Sequence, residues 1–285
     1  MKLTTAYIIS FLPDEPEIRA RRKVLHKKQL DYWCQKDIRI VVYAQNYSDI
    51  DFDPRVHQYI VNTGVLKRPG PARNVLLKEF YETDSDFALF MDDDIVFYPG
   101  EKYMDNDNIL NVLREIPATK FQSVSCFQPL YPSQTPFSQM FRERKQEFRD
   151  NLIFQSHPNL MGACNFIKNF RKLENFDYFY EDLFNVEGKV EAGEDNLFGV
   201  NLIKRGLGAY QLQNLVCNDM GFKDSTWSSD DEHRKASKQL LKERLIAAGV
   251  PVKQSGGLSW SEFCSNYQCV RNVFIPKKEA KSLFC

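Results

Sequence analysis

The 285-residue sequence has no apolar run near the roughly 18–20 residues of a membrane span, no excess of either charge, and no internal repeat or low-complexity segment. With 38 Lys+Arg against 38 Asp+Glu the formal net charge is zero, which excludes a uniformly basic nucleic-acid coat but not local basic patches. The seven cysteines are odd in number and scattered. The opening Met1–Phe11 runs too quickly into Pro13, Asp14 and Glu15 to be a signal peptide, so it reads as a buried strand. Together these predict a cytoplasmic protein in a reducing compartment, without a disulfide framework and without a membrane anchor. Cys264 and Cys269 lack the second pair or nearby histidine that a tetrahedral zinc site needs. Histidine is sparse: His26, His57 and His157 show no partner pattern, while His233, in a helical stretch between charged neighbours, reads as a surface residue with a metal ligand as the alternative.

What is present is an alternation of apolar runs and helical periods. Residues 3–11 and 38–44 read as strands flanking a basic helix in which Ile18, Leu25 and Tyr32 recur every seven residues. Val56–Val61 reads as a third strand, then a Gly/Pro loop, then a helix marked by Ala72, Leu76 and Phe80. Asp86–Met91 is an apolar strand that stops abruptly in Asp92-Asp93-Asp94. Further on, 108–116 reads as helix, 121–130 as strand, 137–154 as charged helix or ordered loop, and 161–167 as strand. A helix opens at Gly193-Glu194-Asp195 and stops near Gly206, 210–217 is a strand, and 232–248 is a last helix before a loop-rich tail. The alternation predicts an α/β fold with a mainly parallel sheet flanked by helices, whose ligands bind beyond the carboxyl ends of the strands.

Three carboxylates at the end of a buried strand repel one another and resist desolvation unless a cation or hydrogen-bond donors offset them. Hard oxygen ligands suit Mg²⁺ or Mn²⁺, and strand alternation lets Asp92 and Asp94 face one site while Asp93 faces another. About twenty residues upstream lies Gly64-Val65-Leu66-Lys67-Arg68-Pro69-Gly70-Pro71-Ala72-Arg73-Asn74, whose glycines allow close backbone approach and whose cations suit a diphosphate or ribose.

With the Asp92-Asp93-Asp94 strand end and Gly193-Glu194-Asp195-Asn196-Leu197-Phe198, this arrangement resembles nucleotide-sugar-dependent glycosyltransferases of the GT-A fold that carry a DxD-type motif. The resemblance covers about residues 3–220. It implies a GT-A domain over 1–220, with a donor-nucleotide half to about 120 and an acceptor half from 121, and a C-terminal helical and loop extension over 221–285. It also implies that Asp94 ligates the metal bridging the donor diphosphate, that Asp92 contacts the ribose or shares the metal, and that Asp93 shapes the donor pocket. Phe11, Arg19, Gln45 or Asn46, Arg68 and Arg73 fall where the family holds the base and phosphates of the donor, a UDP-sugar above others. Asp195 becomes the expected general base and Glu194 an acceptor-binding group, with the helix dipole keeping the base ionised. Where many such enzymes offer a further ligand, often histidine, this chain has Cys217-Asn218-Asp219, so Asp219 is the positional substitute.

The acceptor is less determined. Lys168, Arg171 and Lys172 interleave with Phe166, Phe170, Phe176 and Tyr178, and Arg142, Arg144, Lys145 and Arg149 lie shortly before, a mixture suited to base stacking and phosphate pairing. The compact form is similar to phage-encoded GT-A enzymes that glycosylate hydroxymethylated DNA bases, which makes 5-hydroxymethylcytosine in DNA the expected acceptor. A cell-surface glycan or lipid-linked saccharide is the alternative, and a non-catalytic nucleotide-sugar-binding module is the alternative from another class. A nucleotidyltransferase would carry a glycine-rich loop after the first strand, where Phe11-Leu12-Pro13-Asp14-Glu15 stands.

Overall fold

The computed structural model describes residues 1–65, 67, 69–97, 106–131, 150–172, 193–221, 231–267 and 272–277, with backbone alone at 106–109, 172 and 231–237. Strands β1 (Leu3–Phe11), β2 (Arg39–Gln45), β3 (Gln58–Asn62) and β4 (Phe87–Asp92) form a parallel set in the order β4-β1-β2-β3. The helices between them are α1 (Pro16–Trp33), with proline in the first turn where a missing N–H costs nothing, and α2 (Pro69–Tyr81). β4 is apolar along nearly its whole length because helices cover both of its faces.

Beyond β4 the sheet continues through β8 (Cys164–Lys168), β6 (Cys126–Leu130), β9 (Ala209–Asp219), β7 (Asn151–Ser156) and β10 (Asn272–Pro276), while β5 (Ile95–Phe97) pairs with the end of β9. The pairings leave β7 and β8 reversed and the other seven strands of the main path pointing one way. The mixed, mainly parallel α/β sheet expected from the alternation is thus observed. One core cluster joins α1 and α3 (Asn106–Glu115) to the sheet through Leu30, Trp33 and Leu113, with Ile116 just past the end of α3. The other face packs Leu76, Phe80, Leu197 and Val200 of α2 and α4 (Glu194–Lys204), together with Leu245 of α5 (Asp231–Ala247) and Phe263 of α6 (Trp260–Asn266).

Four readings change. The buried stripe of α1 is His26, Gln29, Leu30 and Trp33, whereas Ile18 is 38% exposed. That face contains two polar residues because the helix must hydrogen-bond a turn as well as cover a sheet. The segment ending at 154 finishes as strand β7, and the sheet part of 121–130 begins only at Cys126, after a 3₁₀ turn over Ala118–Phe121. The residues after 221, expected as helix and loop, also supply β10, which pairs with β7 at the sheet edge. Leu241 of α5 occupies the place where a Cβ on Gly193 would lie, so this part of the chain touches the start of α4.

Candidate active site

The aspartate turn lies between the end of β4 and the start of β5, and the pairing of Ile95 with Asp219 brings the end of β9 beside it. Its backbone is held from below by α1. Gln29 Nε2 donates to the carbonyls of Asp92 and Ile95 at 2.6 and 3.1 Å, and Trp33 Nε1 donates to Ile95 O at 2.9 Å. Since Gln29 Oε1 is then the acceptor for His26 at 3.1 Å, the buried imidazole carries its proton on Nδ1. Burial also lowers the His26 pKa, keeping the ring neutral.

The three carboxylates have different environments. Asp93 is 2% exposed and accepts hydrogen bonds from Ser10 Oγ and Arg22 Nη2, both at 2.6 Å, while Tyr47 OH donates to Ser10 Oγ at 2.7 Å. It is a buried strut beneath the turn, with a hydrogen bond to each oxygen. Asp94 lies against Gly221, where an added Cβ would fall 1.9 Å from its Oδ2, and Met220 N–H donates to its backbone oxygen. Burial, reinforced by Asp93, Asp219 and Asp92 and only partly offset by Arg22, pushes the Asp94 carboxyl up to about 8. Asp92 instead accepts from Arg73 Nη2 at 3.0 Å.

Arg73, near the start of α2, is the hinge of the arrangement. Its buried guanidinium donates to Asp92 with one nitrogen and to Glu194 Oε1 with the other at 2.5 Å, so it ties the end of β4 to the start of α4. Glu194 Oε2 also accepts from Gly193 N–H at 3.2 Å, so both of its oxygens are engaged, one by Arg73 and one by the backbone at the start of α4. Asp195 projects alongside it and accepts from Gly162 N–H at 2.5 Å and Asn196 N–H at 2.8 Å. The helix dipole was expected to keep it ionised, but burial and the Glu194 charge outweigh Arg73 and these two bonds, and the Asp195 pKa rises to about 7.

The turn before β8 passes directly over Arg73. A Cβ on Gly162 would meet the guanidinium atoms at 2.6 to 2.8 Å. Because that guanidinium is fixed by two carboxylates, it cannot yield cheaply. Gly162→Ala should destabilise the protein by about 1–3 kcal/mol, read as a lower urea midpoint at unchanged m-value.

The remaining sequence-derived residues divide by strand direction. Phe11 is half-buried at the end of β1, in register with Gln45. The Gln45 amide accepts from Lys67 N–H at 2.7 Å and donates to Lys67 O at 3.0 Å, so it fixes the loop after β3. Arg19 donates to the carbonyls of Leu12, Pro13 and Asn46 and pairs with Asp51 at 2.6 Å, which ties the loop after β1 to the loop after β2. Arg68, Arg142, Arg144, Lys145, Arg149, Phe176 and Tyr178 lie outside the described residues, as does the side chain of Lys172.

Lys168 and Arg171 are not brought to the site. β8 runs antiparallel to β4, so Cys164 lies opposite Met91 near the acidic turn while Lys168 lies opposite Phe87, at the other end of the strand. Arg171 forms an exposed ion pair with Glu82 just beyond α2. Sequence reasoning missed Ser10, Arg22, Gln29 and Gly162, whose signals are ordinary: one serine in a strand, one arginine among many, a polar residue on a buried helix face, and a loop glycine.

Among the described residues no three His, Cys, Asp or Glu side chains form a ready-made metal cage. The pair Asp94 and Asp219, with Asp92 drawn onto Arg73, nevertheless suits a hard divalent ion that keeps its waters and completes its shell with phosphate oxygens. The depressed acidity of Asp94 is the mark of a carboxylate cluster short of positive charge.

No family model matches this chain, and no curated protein does. Among solved structures it is similar to residues 1–349 of S. aureus TarS, at 12% identity and a TM-score of 0.48 over 88% of this chain and 67% of that one. A longer S. aureus TarS structure matches at 13% identity and a TM-score of 0.45, over 88% of this chain and 41% of that one. The catalytic domain of Drosophila beta1,4-galactosyltransferase 7, solved with xylobiose, matches at 15% identity and a TM-score of 0.37 over 82% of this chain and 79% of that one.

Proposed function

We propose that the protein is a metal-dependent glycosyltransferase that moves a sugar from a nucleoside diphosphate sugar to a hydroxyl acceptor. The observation that carries this reading is the Arg73 bridge, because it joins two acidic motifs a hundred residues apart into one site at the carboxyl end of a mainly parallel sheet. Asp94 and Asp219 are the residues to hold Mg²⁺ or Mn²⁺, which when bound supplies Lewis-acid stabilisation of a departing diphosphate. Arg22 and Ser10 keep Asp93 in place and so set the pitch of the turn, and Glu194 keeps Arg73 aimed at Asp92. Asp195, with a pKa near neutrality, is suited to take the proton of an acceptor hydroxyl.

The acceptor we favour remains 5-hydroxymethylcytosine in DNA, with a glycan hydroxyl as the competing class. Lys168 and Arg171 no longer support the DNA reading, so any phosphate contacts must come from elsewhere. The test offers UDP-sugars and other nucleoside diphosphate sugars, with Mn²⁺ or with EDTA, to hydroxymethylated DNA, unmodified DNA and a glycan panel. Nucleoside diphosphate release in Mn²⁺ and a sugar mass gain on one acceptor class are expected. Donor binding with neither release nor transfer would make the protein a binding module, and full activity in EDTA would remove the metal.

A further inference from the structure

We propose that a second site, at the amino ends of β1 and β2, binds a small, multiply charged phosphate ligand. A cleft of ≈ 970 Å³ opens there, lined by Lys2, Lys36, Arg39, Arg55 and Arg114 against the single carboxylate of Asp37. That volume lies at the upper end of the range for small-ligand sites, about 300–1,000 Å³.

The cations are not equivalent. Arg55 is already neutralised by Asp31 and Asp53, and Lys36 lies 4.5 Å over the Tyr32 ring. Lys2, Arg39 and Arg114 form no salt bridge among the described residues, and only the Asp37 carboxylate acts on Arg114 at longer range. Arg39 donates to the neutral Gln58 side chain, and Arg114 to the backbone oxygen of Asp37. Arg114 Nε is buried without any hydrogen-bond partner. Three cations without a salt bridge around one cleft favour an anion bearing several oxygens, and guanidinium forks match phosphate geometry.

The site is separate from the acidic one. β1 passes from Thr4 on the cleft wall to Ser10 beneath Asp93, a rise of about 20 Å at roughly 3.3 Å per residue. No metal is needed in the cleft, which distinguishes it from a diphosphate held at Asp94.

Titration calorimetry of the full chain with inorganic tripolyphosphate in EDTA tests this. Wild type and Asp94→Asn should bind alike, with affinity falling as salt rises. The double variant Lys2→Gln/Arg39→Gln should bind at least tenfold more weakly, and the exposed single change Lys2→Glu several-fold more weakly with an unchanged melting temperature. Undetectable binding by wild type, equal binding by the Lys2 and Arg39 variants, or a loss confined to Asp94→Asn would overturn the proposal. Binding of an oligonucleotide with none of tripolyphosphate would overturn it too, in favour of a nucleic-acid surface.

Discussion

Asp94→Asn should abolish sugar transfer while making the metal-free protein more stable at alkaline pH. Both effects have one cause. The Asp94 carboxyl is buried among Asp92, Asp93 and Asp219, and its pKa rises to about 8, so the folded state disfavours the charge that catalysis needs. For an acid raised on folding, the native state binds more protons than the unfolded chain between the two pKa values, and stability therefore falls as pH rises from about 4 through 8. Each unit of elevation is worth about 1.4 kcal/mol. The variant should thus exceed wild type by at least about 2 kcal/mol at pH 9 in EDTA, with the gap closing toward pH 4. Chemical denaturation across that range measures it. Mn²⁺ should stabilise wild type at pH 9 and leave the variant unmoved. Equal stability at pH 9 would mean that Asp94 is solvated and that the cluster does not require a cation.

Much of this site was legible in the sequence because the signals were local. An apolar strand ending in Asp92-Asp93-Asp94, and an acidic pair following Gly193 at a helix start, announce themselves by composition and period, and the alternation of elements placed the aspartates at the carboxyl end of a strand. What was illegible depended on direction and on distance along the chain. Nothing in residues 164–168 says that β8 is antiparallel to β4, yet that reversal carries Lys168 away from the turn. Similarly, the seven-residue recurrence in α1 described a plausible apolar stripe, while the observed face is set by Gln29 reaching carbonyls more than sixty residues away. β10 is five residues long and joins the sheet from beyond two helices, so no local period marks its partner. Even the division of labour among the three aspartates follows from partners, Arg22 and Ser10 for Asp93 and Arg73 for Asp92, that the sequence lists without pairing.

Asp195→Asn should lower turnover by roughly 10²–10⁴, the contribution of a positioned proton acceptor, with donor affinity little changed. The wild-type carboxyl titrates near 7, so transfer should rise with pH through that region as Asp195 loses its proton, and the variant should lack this limb. Folding supplies the control. Each Asp195 oxygen accepts a backbone N–H, from Gly162 and from Asn196, and an amide can replace only one of those acceptors. At pH 4, where the raised pKa of the wild-type carboxyl does not enter the comparison, the substitution therefore costs about 1 kcal/mol of stability, a loss that does not remove native protein at room temperature. A rate falling by two orders of magnitude or more, beside a midpoint shifted by only that amount, would identify a group acting on the acceptor proton. Turnover at the wild-type level with the same small stability loss would reduce Asp195 to an N-terminal cap and would point to a retaining transfer, in which no residue of the chain need deprotonate the acceptor.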